Sequence, residues 1–305
     1  MEGASRVSRR KFLLIVYLAL LLLALIVGAW LLLRSASTPK QTPFDGGRAY
    51  DHVLAQMAFG PRVMGSEAHR KTVDYILDQL RQAGWATDTQ DFTYKGVAST
   101  NIIARAALGR GPGVIVGAHY DSRRRADQES AQPAAPVPGA NDGASGVAVL
   151  LELARTLDAS KLQNEVWLAF FDAEDDGGLE GWDWIVGSTY MARTLEVNPA
   201  YVVVLDMIGD ADQQIFFDYN SDPKLSAQIW SIAGGLGYGQ QFVPLPKYSM
   251  LDDHTPFAAR GIPAVDIIDF DYPYWHTTGD TADKVSPASL ERVGRTIQAL
   301  LENEQ

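Results

Sequence analysis

The chain contains no cysteine. Disulfides and thiolate metal sites are therefore excluded, and any metal must be held by His, Asp and Glu. An excess of positive charge is missing too: the formal net charge is −11 over 305 residues. Residues 1–34 hold five Lys/Arg and one acid, so they carry +4 and the remainder carries −15. So acidic a body repels a phosphate backbone, which argues against a nucleic-acid partner. No internal repeat of fixed period is present either.

Charge is wholly absent from residues 12–33, FLLIVYLALLLLALIVGAWLLL, a run of 22. A helix needs roughly 20 such residues to cross a bilayer core of about 30 Å. A buried core helix of this length would normally carry a polar face. The apolar region of a cleaved signal peptide is usually only about 7–15 residues, although Ser35-Ala36-Ser37 keep cleavage open as an alternative. Arg6, Arg9, Arg10 and Lys11 precede the run, and only Arg34 follows closely. Positive charge stays on the cytoplasmic side. The expectation is a single-pass membrane protein with residues 1–11 cytoplasmic, 12–33 as an uncleaved signal anchor and 34–45 as a proline-stiffened linker. Residues 46–305 then form one extracytoplasmic domain, long enough for a real core.

Within that domain, helical periodicity appears at 47–59 and 68–83, and strands are predicted at 90–94 and 100–106. Short apolar runs then follow at 113–118, 165–171, 201–205 and 264–268. They alternate with amphipathic segments at 144–157, 187–194, 223–235 and 287–301. The alternation predicts an α/β domain of three αβα layers around a mixed, largely parallel sheet. Two stretches read as loops: 123–139, whose three arginines look like solvated surface, and 242–251, broken by two prolines.

Ligands of open α/β sheets bind beyond the carboxyl ends of the strands. His119 and Asp121 follow the run at 113–118, Asp172, Glu174 and Asp175 follow 165–171, and Asp206 follows 201–205. Past an aromatic loop after 264–268 comes Trp275-His276, and Asp142 sits in a glycine-bearing turn ahead of a helix. Each alone has a bland explanation, such as a helix cap or a solvated acid. Four strands ending in such side chains point to an active site. Zinc suits His nitrogen and carboxylate oxygen, and two zinc sites can share a carboxylate. The adjacent pair Glu174-Asp175 suggests one metal ligand and one proton carrier.

Five segments carry a resemblance: GAHYDS (117–122), GANDGASGVAVLLELAR (139–155), FFDAEDDG (170–177), LDMIGD (205–210) and YWHTTGDT (274–281). In this order they resemble the M28 family of zinc aminopeptidases and glutaminyl cyclases, from about residue 46 to the carboxyl terminus. The resemblance implies Asp142 as the central metal ligand, with Asp175 and His276 completing one zinc site. His119 and Asp206 match the ligands of a second zinc, and Glu174 matches the general acid/base. Asp175 departs from the family, where Glu is commoner.

Several features resemble the glutaminyl cyclases in particular. DDHTPFAARGIPAV (252–265) is similar to their acid-acid-histidine stretch, with Asp252 matching a buried acid that bonds to the proton carrier. Trp275 precedes His276, and Trp182 and Trp184 fall where those enzymes place a pocket tryptophan. Against this, Leu251 stands where animal cyclases have Gln. The implied activity is conversion of an amino-terminal glutamine to pyroglutamate with loss of ammonia, an acyl transfer onto the peptide's own amine. The alternative is an aminopeptidase in which Glu174 activates a water against the first peptide bond. A third reading is an inactive binding ectodomain. Both enzymatic readings imply one or two Zn2+ ions and peptide substrates with a free amino terminus.

Overall fold

The computed structural model describes residues 11–23 and 43–302. Residues 11–23 are helical, and the rest of the apolar run 12–33 and most of the linker lie outside the described residues. Among the described residues no helix is long and apolar enough to cross a membrane. The second compact unit begins at Pro43 and carries everything that follows.

It starts with helices α1 (Gly46–Phe59) and α2 (Glu67–Gln82). Asp45 caps the first by accepting from the Gly47 and Arg48 N–H groups, and Ser66 caps the second from His69. Strands β1 (Ala86–Tyr94) and β2 (Val97–Ala106) form an antiparallel hairpin. Its two turn residues, Lys95 and Gly96, have φ of 48° and 81°, the twist that matches the two strands. β3 (Gly113–His119), helix α3 (Ala144–Thr156), β4 (Glu165–Phe171), helix α4 (Val186–Thr194) and β5 (Tyr201–Asp206) follow. The chain ends through β6 (Ile215–Asp218), α5 (Pro223–Gly235), β7 (Phe242–Tyr248), a one-turn helix α6 (Thr255–Ala258), β8 (Ala264–Ile268) and α7 (Pro287–Glu302).

Six strands make one sheet in the order β1-β2-β4-β3-β5-β8. The pairs β4–β3, β3–β5 and β5–β8 are parallel, and the two pairs at the β1 end are antiparallel. The central strands are buried on both faces, which is why they read as unbroken apolar runs. Val114, Val116, Leu168, Phe170, Val203 and Leu205 face a core shared with α1, α2, α3, α5 and α7. Their neighbours Ile115, Ala169, Phe171, Val202 and Val204 face a smaller core with Met191 and Ala192 of α4 and Phe257 of α6. The mixed, mostly parallel sheet between helical layers is the expected architecture.

Three expectations need correction. Residues 242–248 form strand β7 rather than a loop: it pairs with β6 alone, and a two-stranded ribbon leaves one edge free of ladder bonds, so Pro244 and Pro246 are tolerated. Residues 144–157 were expected to be amphipathic, but α3 is buried on nearly every side, because α1 and α7 pack against it from outside the sheet. Arg123, read as solvated, is buried.

Helix α3 lies so close to the sheet that a Cβ on Gly146 would stand 2.3 Å from the Leu205 carbonyl oxygen and 2.8 Å from the Ala118 Cβ. That closeness sets the height of the turn before α3 above the strand ends. Gly146→Ala should lower stability by about 1–3 kcal/mol through overpacking. Gly234→Ala, with open space around its Cβ, should be neutral or stabilising. Equilibrium urea unfolding of both variants checks this, and equal midpoints would show that the contact carries no strain.

Candidate metal centre

The carboxyl ends of β3, β4, β5 and β8 open onto one pocket. His119 is the last residue of β3 and Asp206 the last of β5. Beyond β4 the chain turns sharply at Ala173 (φ 60°) and presents Glu174 and Asp175; beyond β8 it reaches His276, itself at φ 55°. Positive φ at a non-glycine residue costs energy and is held only where surroundings over-determine it.

Asp142 sits in the turn before α3. An aspartate there would ordinarily cap the helix, but the cap is Gly143 and no side chain bonds the helix start. Gly143 has φ 86°, and a Cβ there would meet the Asp121 carbonyl oxygen at 2.8 Å and His119 Cε1 at 3.1 Å. The Asp142 carboxylate is thus left free to face the pocket. Asp280 holds the turn by accepting from the Asn141 N–H (2.8 Å) and the Asp142 N–H (3.1 Å), and takes the Tyr272 hydroxyl at 2.7 Å. From below, buried Arg62 donates to the carbonyls of Tyr120, Pro138, Gly139 and Asp142. Asp121 accepts from the Glu174 N–H (3.2 Å) and the Asp175 N–H (3.1 Å), which fixes the second loop.

Two trios result, Asp142–Asp175–His276 and His119–Asp142–Asp206, with ligand atoms of each within 4.8 Å of one another. In the first, His276 Nε2 lies 3.1 Å from Asp175 Oδ1 and 3.7 Å from Asp142 Oδ2. In the second, His119 Nε2 lies 3.1 Å from Asp142 Oδ1 and 3.2 Å from Asp206 Oδ1. Ligands about 2.0–2.2 Å from a tetrahedral zinc stand roughly 3.3–3.6 Å apart, close to the histidine–aspartate separations in both trios. The buried Asp142 Oδ2 and Asp175 Oδ2 have no hydrogen-bond partner. Orphaned buried oxygens of this kind call for a ligand, and the shared aspartate, two-sided as a bridge must be, fits one or two zinc ions.

Electrostatics agree. Burial, then the Asp142 charge, pushes the Asp175 carboxyl well above its ordinary range. Burial likewise raises Glu174, against the pull of His119 and with the charges of Asp253, Asp175 and Asp252. Burial lowers His276 to about 4, so its ring is neutral and able to ligate. His119 is raised despite its burial, because Asp121, Asp142 and Asp206 surround it.

The pocket, about 130 Å³, is lined by Asp142, Glu174, Asp175, Asp206, Asp252 and His276. Trp184, Met207, Met250, Leu251, Ile268, Phe270 and Trp275 supply its apolar wall. The His276 ring stacks with two tryptophans, Trp275 at 3.8 Å and Trp184 at 5.9 Å, tilted by 25° and 10°. Trp182 stands apart. It packs edge-on against Tyr94 and under the Arg124 guanidinium, 4.3 Å from its ring, and is not among the pocket's lining residues. Asp252 lines the pocket with Oδ2 unpartnered, but no described hydrogen bond joins it to Glu174, on which it acts through its charge. Asp172 turns away to bond His69 at 2.7 Å and the Thr100 N–H at 2.7 Å. Arg62, Asp280 and the supporting role of Asp121 were not anticipated. Asp121 carried a signal in its place two residues past a strand-end histidine, and Asp280 in its place within the segment 274–281; Arg62 carried none.

Residues 101–301 match the model of peptidase family M28. The chain belongs to that family. Over 282 residues this M28 chain is 27% identical to the glutaminyl-peptide cyclotransferase-like protein of Mus musculus, covering 79% of this chain and 70% of the relative. A leucine aminopeptidase precursor from Bacteroides thetaiotaomicron superposes with a TM-score of 0.82 at 30% identity, over 87% of this chain and 99% of the other. The Bacteroides thetaiotaomicron glutaminyl cyclase bound to N-acetylhistamine gives 0.81 at 30% identity, over 87% and 100%. The two superpositions are equally close, so the backbone does not separate the two chemistries of the M28 relatives.

His276→Ala should weaken zinc binding by at least two orders of magnitude, since it removes one of three ligands of the pocket-facing trio. His254→Ala removes a buried ring that belongs to neither trio and lies 3.2 Å from Asp218. It should cost stability and leave zinc affinity within a few fold. Competition with a chromophoric chelator measures both, and similar losses would mean that the wrong histidine has been assigned.

Proposed function

We propose that this M28 chain is a zinc-dependent glutaminyl-peptide cyclotransferase, tethered to a membrane by residues 12–33 with its catalytic domain on the extracytoplasmic side. The observation that carries the chemistry is the apolar wall around Glu174 and the Asp142–Asp175–His276 trio. Trp184, Trp275, Phe270, Ile268, Met207, Met250 and Leu251 surround these groups with apolar side chains, and cyclisation is favoured where water competes poorly with the amine. The cyclase names among its relatives support the same reading.

In this mechanism a peptide places its amino-terminal glutamine side chain in the pocket, its amide between the trio and Glu174. Asp142, Asp175 and His276 would hold the zinc, which when bound supplies Lewis-acid polarisation of the side-chain carbonyl. The free α-amine attacks the carboxamide carbon, forming the ring C–N bond. Glu174 takes the amine proton, then delivers it to the departing nitrogen as the C–NH2 bond breaks and ammonia leaves. Burial and the neighbouring acids keep that carboxyl poised to exchange a proton. Trp275 and Trp184 stack with the His276 ring and line the pocket that takes the side chain.

One observation favours a second reading. The His119–Asp142–Asp206 trio is complete, as an aminopeptidase with two metals would need. There the same Glu174 would take a proton from water instead of from the substrate amine. An inactive ectodomain is the weakest reading, because Glu174 and every expected ligand are present.

Offering Gln-initiated and Leu-initiated peptides to the zinc-loaded protein separates the two activities. Ammonia and a pyroglutamyl product from the first support the cyclase, whereas free leucine from the second replaces it with the peptidase. Glu174→Gln should lower turnover by about 10²–10⁴-fold with zinc still bound, and near-normal activity would remove Glu174 from its role. Alkaline carbonate washing of membranes should retain the full chain and release one truncated before residue 43; full-length chain in the wash would remove the tether.

A further inference from the structure

The segment that follows β3 does not behave as surface. Buried Arg123 forks onto the Asp127 carboxylate, Nε to Oδ1 at 2.7 Å and Nη2 to Oδ2 at 2.8 Å. The same guanidinium donates to the Asp175 carbonyl at 2.5 Å and to the Gly177 carbonyl at 3.2 and 3.3 Å. It also lies 4.8 Å from the centre of the Trp184 ring. Asp127 Oδ1 in turn lies 3.5 Å from His276 Nδ1, a buried nitrogen that has no hydrogen-bond partner, and among the described residues no other carboxylate is paired with that atom. Two residues further on, the contacts continue. The Gln128 N–H donates to the His276 carbonyl at 3.3 Å, and Glu129 accepts from the Thr278 N–H at 2.8 Å and its hydroxyl at 2.6 Å.

His276 needs such a clasp for two reasons. Its backbone sits at φ 55°, a conformation that persists only under outside constraint. Its ring must also keep a proton on Nδ1 if Nε2 is to ligate, and an acceptor beside Nδ1 selects that tautomer. A carboxylate already gripped by an arginine fork cannot rotate away, which makes it a better guide than a free one. Arg123 acts on the other pocket-side ligand as well, by holding the Asp175 carbonyl. The geometry points to Arg123 and Asp127 as a positioning pair that sets His276 and Asp175 for the cation. This inference rests on the zinc reading above.

The test uses the full-length protein, apo and reloaded with Zn2+ alone. Asp127→Asn keeps the shape but loses the charge. It should raise the zinc dissociation constant about 10–100-fold and change the visible absorption of the Co2+-substituted protein, while the apo melting temperature stays near that of wild type. Asp127→Glu should recover part of the affinity. Arg123→Lys keeps the charge but loses the fork, and should fall between the two. Wild-type zinc affinity and an unchanged Co2+ spectrum in Asp127→Asn overturn the inference while leaving the metal reading intact, as does a lowered apo melting temperature with unchanged affinity. A wild-type protein that binds no zinc overturns both.

Discussion

The crowding of buried acidic side chains around one pocket is the constraint on which this molecule depends. Asp142, Glu174, Asp175, Asp206 and Asp252 converge on one pocket, and each ionised carboxylate in so dry a place raises the cost of the next. Burial and mutual repulsion push Glu174, Asp175 and Asp206 towards the protonated form, while His119 draws Asp142 the other way despite its burial. A divalent ion between Asp142 and Asp175 removes that penalty. Folding and metal affinity are therefore two sides of one electrostatic balance.

The scaffold serves that balance through backbone contacts more than through side-chain contacts among the ligands. Arg62 collects four carbonyls beneath the Asp142 turn, and Asp280 collects two N–H groups above it. A charge that satisfies main-chain dipoles fixes a loop without competing for the metal. Asp121 does the same for the Glu174–Asp175 loop. The ligands can then keep orphaned oxygens because other groups perform the holding.

Much of this was legible before any coordinates. Strands β3, β4, β5 and β8 are buried on both faces and read as apolar runs, and His119, Glu174, Asp175 and Asp206 stand at or just past the ends of the first three, so strand ends and candidate site came together. β7 was hidden by its prolines and β6 by its brevity. β1 is exposed along much of its length, so its first residues carry no apolar signal. Arg62 and the tie from the Arg123–Asp127 pair to Asp175 and His276 were illegible for a different reason. Their partners are main-chain atoms or residues distant in sequence, and such contacts leave no periodicity and no motif. Trp182 shows the opposite error: the resemblance to the cyclases placed it in the pocket with Trp184, but its ring packs against Tyr94 and Arg124 instead.

Helix α3 is enclosed by α1, α7 and the sheet, and the Asp142 turn is continuous with it. Amides in so enclosed a helix can meet solvent only when the whole domain opens, so their hydrogen exchange reports global unfolding. The loop carrying His276 is instead irregular backbone, set on the small cluster of Met207, Ile268 and Tyr272 and tied to residues 128–129 by a few polar contacts. Its amides can exchange through local opening, so the two sides of the centre would report motions of different scale.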